Sequence, residues 1–107
     1  MERKAALVTG SSHGIGKSIA LALAQAGYDV GITYHTRKEG AMELYDTVVA
    51  LGVSAKVIQV DVSSLPDIQR MFDEFMEAFG RIDVLVNNAG IGLVAPFLST
   101  TPELFET

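Results

Sequence analysis

Apolar positions in this chain fall into two rhythms that alternate along it. Ala5-Ala6-Leu7-Val8 is a short continuous apolar run, the pattern of a buried strand. From Gly14 onward Ile15, Ile19, Leu23 and Ala26 recur at helical spacing, with Lys17 and Gln25 off the stripe, and Gly27 stands where a C-cap glycine ends a helix. Tyr28-Asp29-Val30-Gly31-Ile32-Thr33-Tyr34 predicts a second strand. Leu44, Tyr45, Val48, Val49 and Leu51 mark a second amphipathic helix closed by Gly52, and Ala55-Lys56-Val57-Ile58-Gln59-Val60 a third strand. Ser64, Leu65, Pro66 and Asp67 form a helix start, with the serine as cap and proline in the first turn. Ile68, Met71, Phe72, Phe75, Met76 and Phe79 follow as one stripe, the spacing that a core face requires. Gly80 stops that helix, and Ile82-Asp83-Val84-Leu85-Val86 predicts a fourth strand.

Strands alternating with helices imply parallel pairing, right-handed crossovers and helices on both faces of one sheet. Ser99-Thr100-Thr101-Pro102-Glu103-Leu104-Phe105 then carries the marks of a further helix start, and only about a turn follows. Residues 1–107 are therefore read as the N-terminal part of a larger domain, truncated at the start of the helix after strand four.

Composition narrows the class. With 49% hydrophobic and 20% charged residues the chain is one small globular domain or a piece of a larger one, not a disordered segment. It has no apolar run near 18 residues and no charged-then-apolar leader, so a cytoplasmic protein without a membrane partner is expected. The absence of cysteine removes disulfides, thiolate metal sites and cysteine nucleophiles, and no metal site is expected. A net charge of −5 argues against nucleic acid as the main partner.

The chemistry concentrates in Val8-Thr9-Gly10-Ser11-Ser12-His13-Gly14-Ile15-Gly16, between the first strand and first helix. Gly10 can take backbone angles barred to residues with a Cβ, and Gly14 and Gly16 leave room for a pyrophosphate and for close helix-to-strand packing. The N–H groups and positive dipole end of the helix would face the phosphates. Taken alone, this Gly-x3-Gly-x-Gly loop also suits a structural turn without ligand, as Asn87-Asn88 alone suits a turn. At the end of strand two no Asp or Glu stands ready for a ribose 2′-hydroxyl. Arg37 stands where a guanidinium could fork onto a 2′-phosphate, with His13 as a weaker contact. NADP(H) is therefore the preferred cofactor, with NAD(H) left open.

The glycine loop, Asp61-Val62 after strand three, and Asn87-Asn88-Ala89-Gly90 after strand four together resemble the short-chain dehydrogenase/reductase family, over about Ala5 to Thr107. Within it the chain is most similar to bacterial 3-oxoacyl-acyl-carrier-protein reductases. The resemblance implies that Gly10, Ser12, His13, Gly14, Ile15 and Gly16 surround the diphosphate and adenosine ribose. It implies too that Asp61 and Val62 contact adenine and that Asn88, Ala89 and Gly90 line the ribose side. Asn87 would bond backbone groups and hold the central strands in register. The expected fold is a doubly wound α/β (Rossmann) parallel sheet in the order 3-2-1-4, with the first two helices on one face and the Ile68 to Phe79 helix on the other.

The family's catalytic serine, tyrosine and lysine would fall beyond Thr107, so no catalytic residue is expected here. Of Tyr28, Tyr34 and Tyr45 only Tyr34 has a lysine four positions on, and Lys38 lies on the adenosine side. The intact protein is expected to be an oxidoreductase reducing a 3-oxoacyl thioester or similar ketone in fatty acid synthesis, and a homo-oligomer. The 107-residue chain is expected to turn nothing over and to associate with itself. A methyltransferase would usually place an acid at the end of strand two, where this chain has Tyr34-His35-Thr36-Arg37. A non-catalytic nucleotide-binding module stands as the alternative if 107 residues is the whole product.

Overall fold

The computed structural model describes residues 3–12 and 14–88. Seven elements follow one another: β1 (Ala5–Thr9), α1 (Gly14–Gln25), β2 (Asp29–Tyr34), α2 (Lys38–Ala50), β3 (Ala55–Gln59), α3 (Leu65–Phe79) and β4 (Val84–Asn87). The strands form one parallel sheet in the order β3-β2-β1-β4, as the alternation and the resemblance predict. Leu7 lies opposite Gly31 on one side and Leu85 on the other, so β1 is central and every one of its residues is buried.

Side chains alternate across a strand, and β1 therefore feeds two cores. Val8 joins Val30 and Ile32 against Ala20 and Ala24 of α1 and Ala41, Leu44 and Val48 of α2. Ala5 and Leu7 join Ile58 and Val60 against Ile68, Met71 and Phe75 of α3. The first two helices share one face and α3 covers the other, as expected.

The third helix follows its sequence cues closely. Ser64 is the N-cap, its Oγ accepting from Asp67 N at 3.3 Å, and Pro66 sits in the first turn, where a missing N–H costs nothing. Gly80 closes the helix in the left-handed region at φ 74°, its N–H donating to Met76 O at 2.7 Å. Met76, placed on the core stripe by spacing, is instead 41% exposed, because Ile68, Met71 and Phe75 fill the width that one helix presents to the sheet.

The stripe expected of α1 is shifted by one position. Gly16, Ala20 and Ala24 are its buried residues, Ile19 and Leu23 flank them partly buried, and Ile15 is 72% exposed. A residue without a long side chain brings the helix axis close to the sheet, so the smallest residues take the contact line and the larger apolar ones spread beside it. The cues for a helix beyond Ser99 lie outside the described residues.

Candidate functional site

All four strands run the same way, so the loops after β1, β2 and β3 and the end of β4 gather at one edge of the sheet, where open α/β sheets take ligands. The loop after β1 turns on Gly10, whose φ of 65° an L side chain rarely adopts. Its N–H donates to the Thr33 hydroxyl at 2.9 Å, and that hydroxyl donates to Val8 O at 3.2 Å. Thr33 N donates to Ser11 Oγ at 2.8 Å, and both residues are fully buried. A buried N–H left unmade costs about 1–3 kcal/mol, so these paired bonds staple the loop to β2.

Two helices then close on the loop through glycines. A Cβ at Gly16 would lie 2.2 Å from Gly10 O and 2.5 Å from Asn88 Nδ2, and one at Gly40 in the first turn of α2 would lie 2.3 Å from Ser12 O. Backbone cannot yield as a flexible side chain does, so only glycine fits at either position. At Gly14, φ 63°, by contrast, none of the described residues brings an atom within 4 Å of where a Cβ would stand.

From β4 the Asn87-Asn88 pair completes the frame. Asn88 N donates to Thr9 Oγ1 at 3.0 Å and Asn88 Nδ2 donates to Gly10 O at 3.2 Å. Thr9 Oγ1 lies 3.2 Å from Asn87 Oδ1 and 3.3 Å from Val86 O, and Asn87 is the register partner of Thr9. Asn87 thus meets its neighbouring strand at least in part through the threonine hydroxyl. Asn88 holds the carbonyl of the very glycine that turns the loop.

Beside this frame a cleft of about 150 Å³ is lined by Gly10, Ser12, Thr33, Tyr34, His35, Thr36, Arg37, Val60 and Val62. Arg37 immediately precedes α2 and is exposed, with no carboxylate partner among the described residues. Asp61 stands between two of the lining residues, Val60 and Val62. Its Oδ1 accepts from Ser63 Oγ at 2.6 Å and Ser63 N at 3.0 Å, and its own N–H donates to Asp67 Oδ2 at 2.9 Å. The Ser63 hydroxyl first, then the Ser63 N–H and the nearby His35, hold the Asp61 carboxyl below its ordinary range. His35 Nε2 lies 3.9 Å from Asp61 Oδ2.

The structure thus brings together Gly10, Ser12, Gly14, Ile15, Gly16, Arg37, Asp61, Val62, Asn87 and Asn88 at the carboxyl edge, whereas His13, Ala89 and Gly90 lie outside the described residues. Sequence reasoning missed Thr33 and Gly40. Thr33 reads as one more β-former in an apolar strand. Gly40 carries no signal beyond being a glycine in the first turn of a predicted helix, a place where packing must explain it.

A family model for short chain dehydrogenases matches residues 4–107, and the chain belongs to that family. Among curated relatives, the uncharacterized oxidoreductase YohF of Escherichia coli is 48% identical over 93 residues, covering 87% of this chain and 37% of that protein. The 3-oxoacyl-[acyl-carrier-protein] reductase FabG of Staphylococcus aureus is 48% identical over 88 residues, covering 82% of this chain and 36% of that protein. Among solved structures, a short chain dehydrogenase from Burkholderia cenocepacia in complex with NADP superposes with a TM-score of 0.80 at 47% identity, over 84% of this chain and 37% of that one. Acetoin dehydrogenase YohF from Salmonella typhimurium gives 0.76 at 46% identity, over 82% and 36%. The chain therefore spans little more than a third of the length of these relatives. No helix among the described residues is long and apolar enough to cross a membrane.

Proposed function

We propose that residues 1–107 are the cofactor-binding part of an NADP(H)-dependent short-chain oxidoreductase. The observation that carries this reading is the glycine loop locked from three sides, with its Gly14 side left open by the described residues, beside a cleft lined in part by Arg37. The residues fit the group. Whole ligand pockets run to roughly 300–1,000 Å³, so a cleft of about 150 Å³ suits one end of a dinucleotide. The open face of Gly14 at the start of α1 suits a diphosphate.

In this reading Gly10, Ser12, His13, Gly14, Ile15 and Gly16 surround the diphosphate and adenosine ribose. Asp61 and Val62 contact adenine, and Asn88, Ala89 and Gly90 line the ribose side. Arg37 takes the 2′-phosphate. When bound, the nicotinamide supplies or accepts a hydride. This chain's residues bind and orient the cofactor, and none of its tyrosines serves as the proton donor. The intact protein interconverts a ketone and a secondary alcohol. A 3-oxoacyl thioester is the substrate class that the staphylococcal relative supports, and acetoin, in the name of the Salmonella structure, supports a small hydroxyketone.

Calorimetric titration with NADPH and NADH tests the cofactor. NADPH should bind more tightly, and Arg37→Ala should weaken it about 10- to 100-fold, the scale of a charged hydrogen bond of about 1.5–3 kcal/mol, with NADH unchanged. Equal affinities in both proteins would exclude the NADP(H) preference. Binding of neither nucleotide would exclude the cofactor role.

A further inference from the structure

β3 ends at Gln59, and Val60, Asp61 and Val62 follow it past the cleft, which the two valines line. The backbone of this stretch is held from elements on either side. Val60 N donates to Tyr34 O at 2.8 Å, which extends the pairing with β2. Gln59 O accepts from Arg70 Nη2 at 2.6 Å, and Asp61 N donates to Asp67 Oδ2 at 2.9 Å. Both of these partners belong to the first two turns of α3, and they brace each other: Arg70 Nη2 lies 3.4 Å from the same Asp67 Oδ2, while Arg70 Nη1 donates to Glu74 Oε2 at 2.8 Å. Asp67 is the third residue after the Ser64 cap, a position from which an acidic side chain ordinarily reaches back to the N–H of the cap. Here the Ser64 N–H is taken by Asp61 O at 2.9 Å, and the Asp67 carboxylate goes to the Asp61 N–H instead. The helix start keeps its own cap bond, from Asp67 N to Ser64 Oγ, which does not use the Asp67 side chain.

We propose that Asp67, braced by Arg70, is a positioning residue for the adenine end of the cofactor: it fixes the backbone that presents Asp61 and Val62 without lining the cleft itself. The proposal rests on the cofactor reading above, in which those two residues contact the base. Ser63 gives two donors to Asp61 Oδ1, at 2.6 and 3.0 Å, so Oδ2 is the acceptor left for the 6-amino group of adenine. Hydrogen bonds weaken steeply with distance and misalignment, so that oxygen serves only where its backbone is held still. Released from α3, residues 59–61 would present it over a range of positions, and the ordering that the fold now supplies in advance would have to be made on binding.

Base selectivity is the readout, because a general loss of stability lowers affinity for every nucleotide alike. The probes are NADPH and its hypoxanthine analogue, in which an oxo group replaces the 6-amino group and offers Asp61 an acceptor where it needs a donor. Affinities are measured by calorimetry on the full chain, as wild type, Asp67→Ala, Asp67→Ser, Asp67→Asn and Ser64→Ala, with circular dichroism to verify that each is folded. The first two remove the acceptor, and having both keeps the test intact if one fails to fold. Asp67→Asn keeps a carbonyl oxygen for the Asp61 N–H. Ser64→Ala weakens α3 at its cap and leaves the clamp in place.

Wild type should prefer NADPH to the analogue, and Asp67→Ala and Asp67→Ser should reduce that preference about 3- to 10-fold, the scale of one hydrogen bond lost. Asp67→Asn and Ser64→Ala should keep the wild-type preference. Removal variants that keep it too, or an Asp67→Asn or Ser64→Ala that loses as much as they do, overturn the proposal while leaving the cofactor site standing. If wild type binds neither nucleotide, or binds both equally, the cofactor reading or its adenine contact fails and this inference falls with it.

Discussion

On the α1 side of the sheet the buried helical residues are Gly16, Ala20 and Ala24, whereas on the α3 side they are Ile68, Met71 and Phe75. Both faces bury an apolar cluster, by opposite means. Small residues bring α1 so near that its first turn touches the β1 loop backbone, and Gly40 does the same for α2. On the far side the bulk belongs to the helix and the glycine to the strand: a Cβ at Gly31 would lie 2.6 Å from the Phe75 ring. The difference is one of purpose. Where backbone groups form the site, packing brings backbone to backbone. Where a helix serves as ballast, packing maximises buried apolar area, at about 25 cal/mol per Å².

The comparison can be broken most severely at Phe75. Phe75→Ala should lower stability by about 3–5 kcal/mol in urea unfolding, while the fraction still folded binds NADPH as before. Gly16→Ala should cost about 1–3 kcal/mol by overpacking and abolish NADPH binding, since its Cβ displaces Gly10 and Asn88 together. Equal loss of binding in both variants would show that the two faces do not divide the work. Thr33→Val should cost about 1–2 kcal/mol because the Gly10 N–H loses its acceptor, and NADPH affinity should fall with it. Ser64→Ala, remote from the loop, should cost about 1 kcal/mol with affinity unchanged.

The smallest effect is on pH. The Arg81 guanidinium first, then the Ala5 N–H, hold the Asp83 carboxyl below its ordinary range. A carboxylate whose folded pKa is depressed stabilises the fold above its unfolded pKa, near pH 4, and loses that contribution as pH falls through the folded value. Thermal melts from pH 5 down to pH 2 should therefore show a shallower acid decline for Asp83→Asn than for wild type. Identical slopes would remove Asp83 from the acid limb.

Much of this was legible before any coordinates. The α3 stripe, its Ser64 cap and its Gly80 stop were readable because each is a local rule acting on neighbours in sequence. The α1 face was misjudged, because hydrophobicity ranks Ile15 above Gly16 whereas the tight approach to the sheet ranks them the other way. Gly10 announced itself as a turn glycine. Thr33 and Gly40 did not, since what they touch lies 22 or more residues away and no periodicity encodes it.

The bond from Asn88 N to Thr9 Oγ1 spans 79 residues of chain. Closing a loop of that length costs an entropy of order 4 kcal/mol, to be met before the contact returns anything. Nearer pairings such as β1 with β2 and β2 with β3, about 24 residues apart, cost roughly 1 kcal/mol less. The glycine loop is therefore finished late on the folding path: during synthesis its first residues leave the ribosome well before the asparagines that lock it, and must wait, unclasped, for the fourth strand. Substitutions at Asn88 should accordingly speed unfolding and leave the folding rate nearly untouched, the signature of a contact made after the rate-limiting barrier.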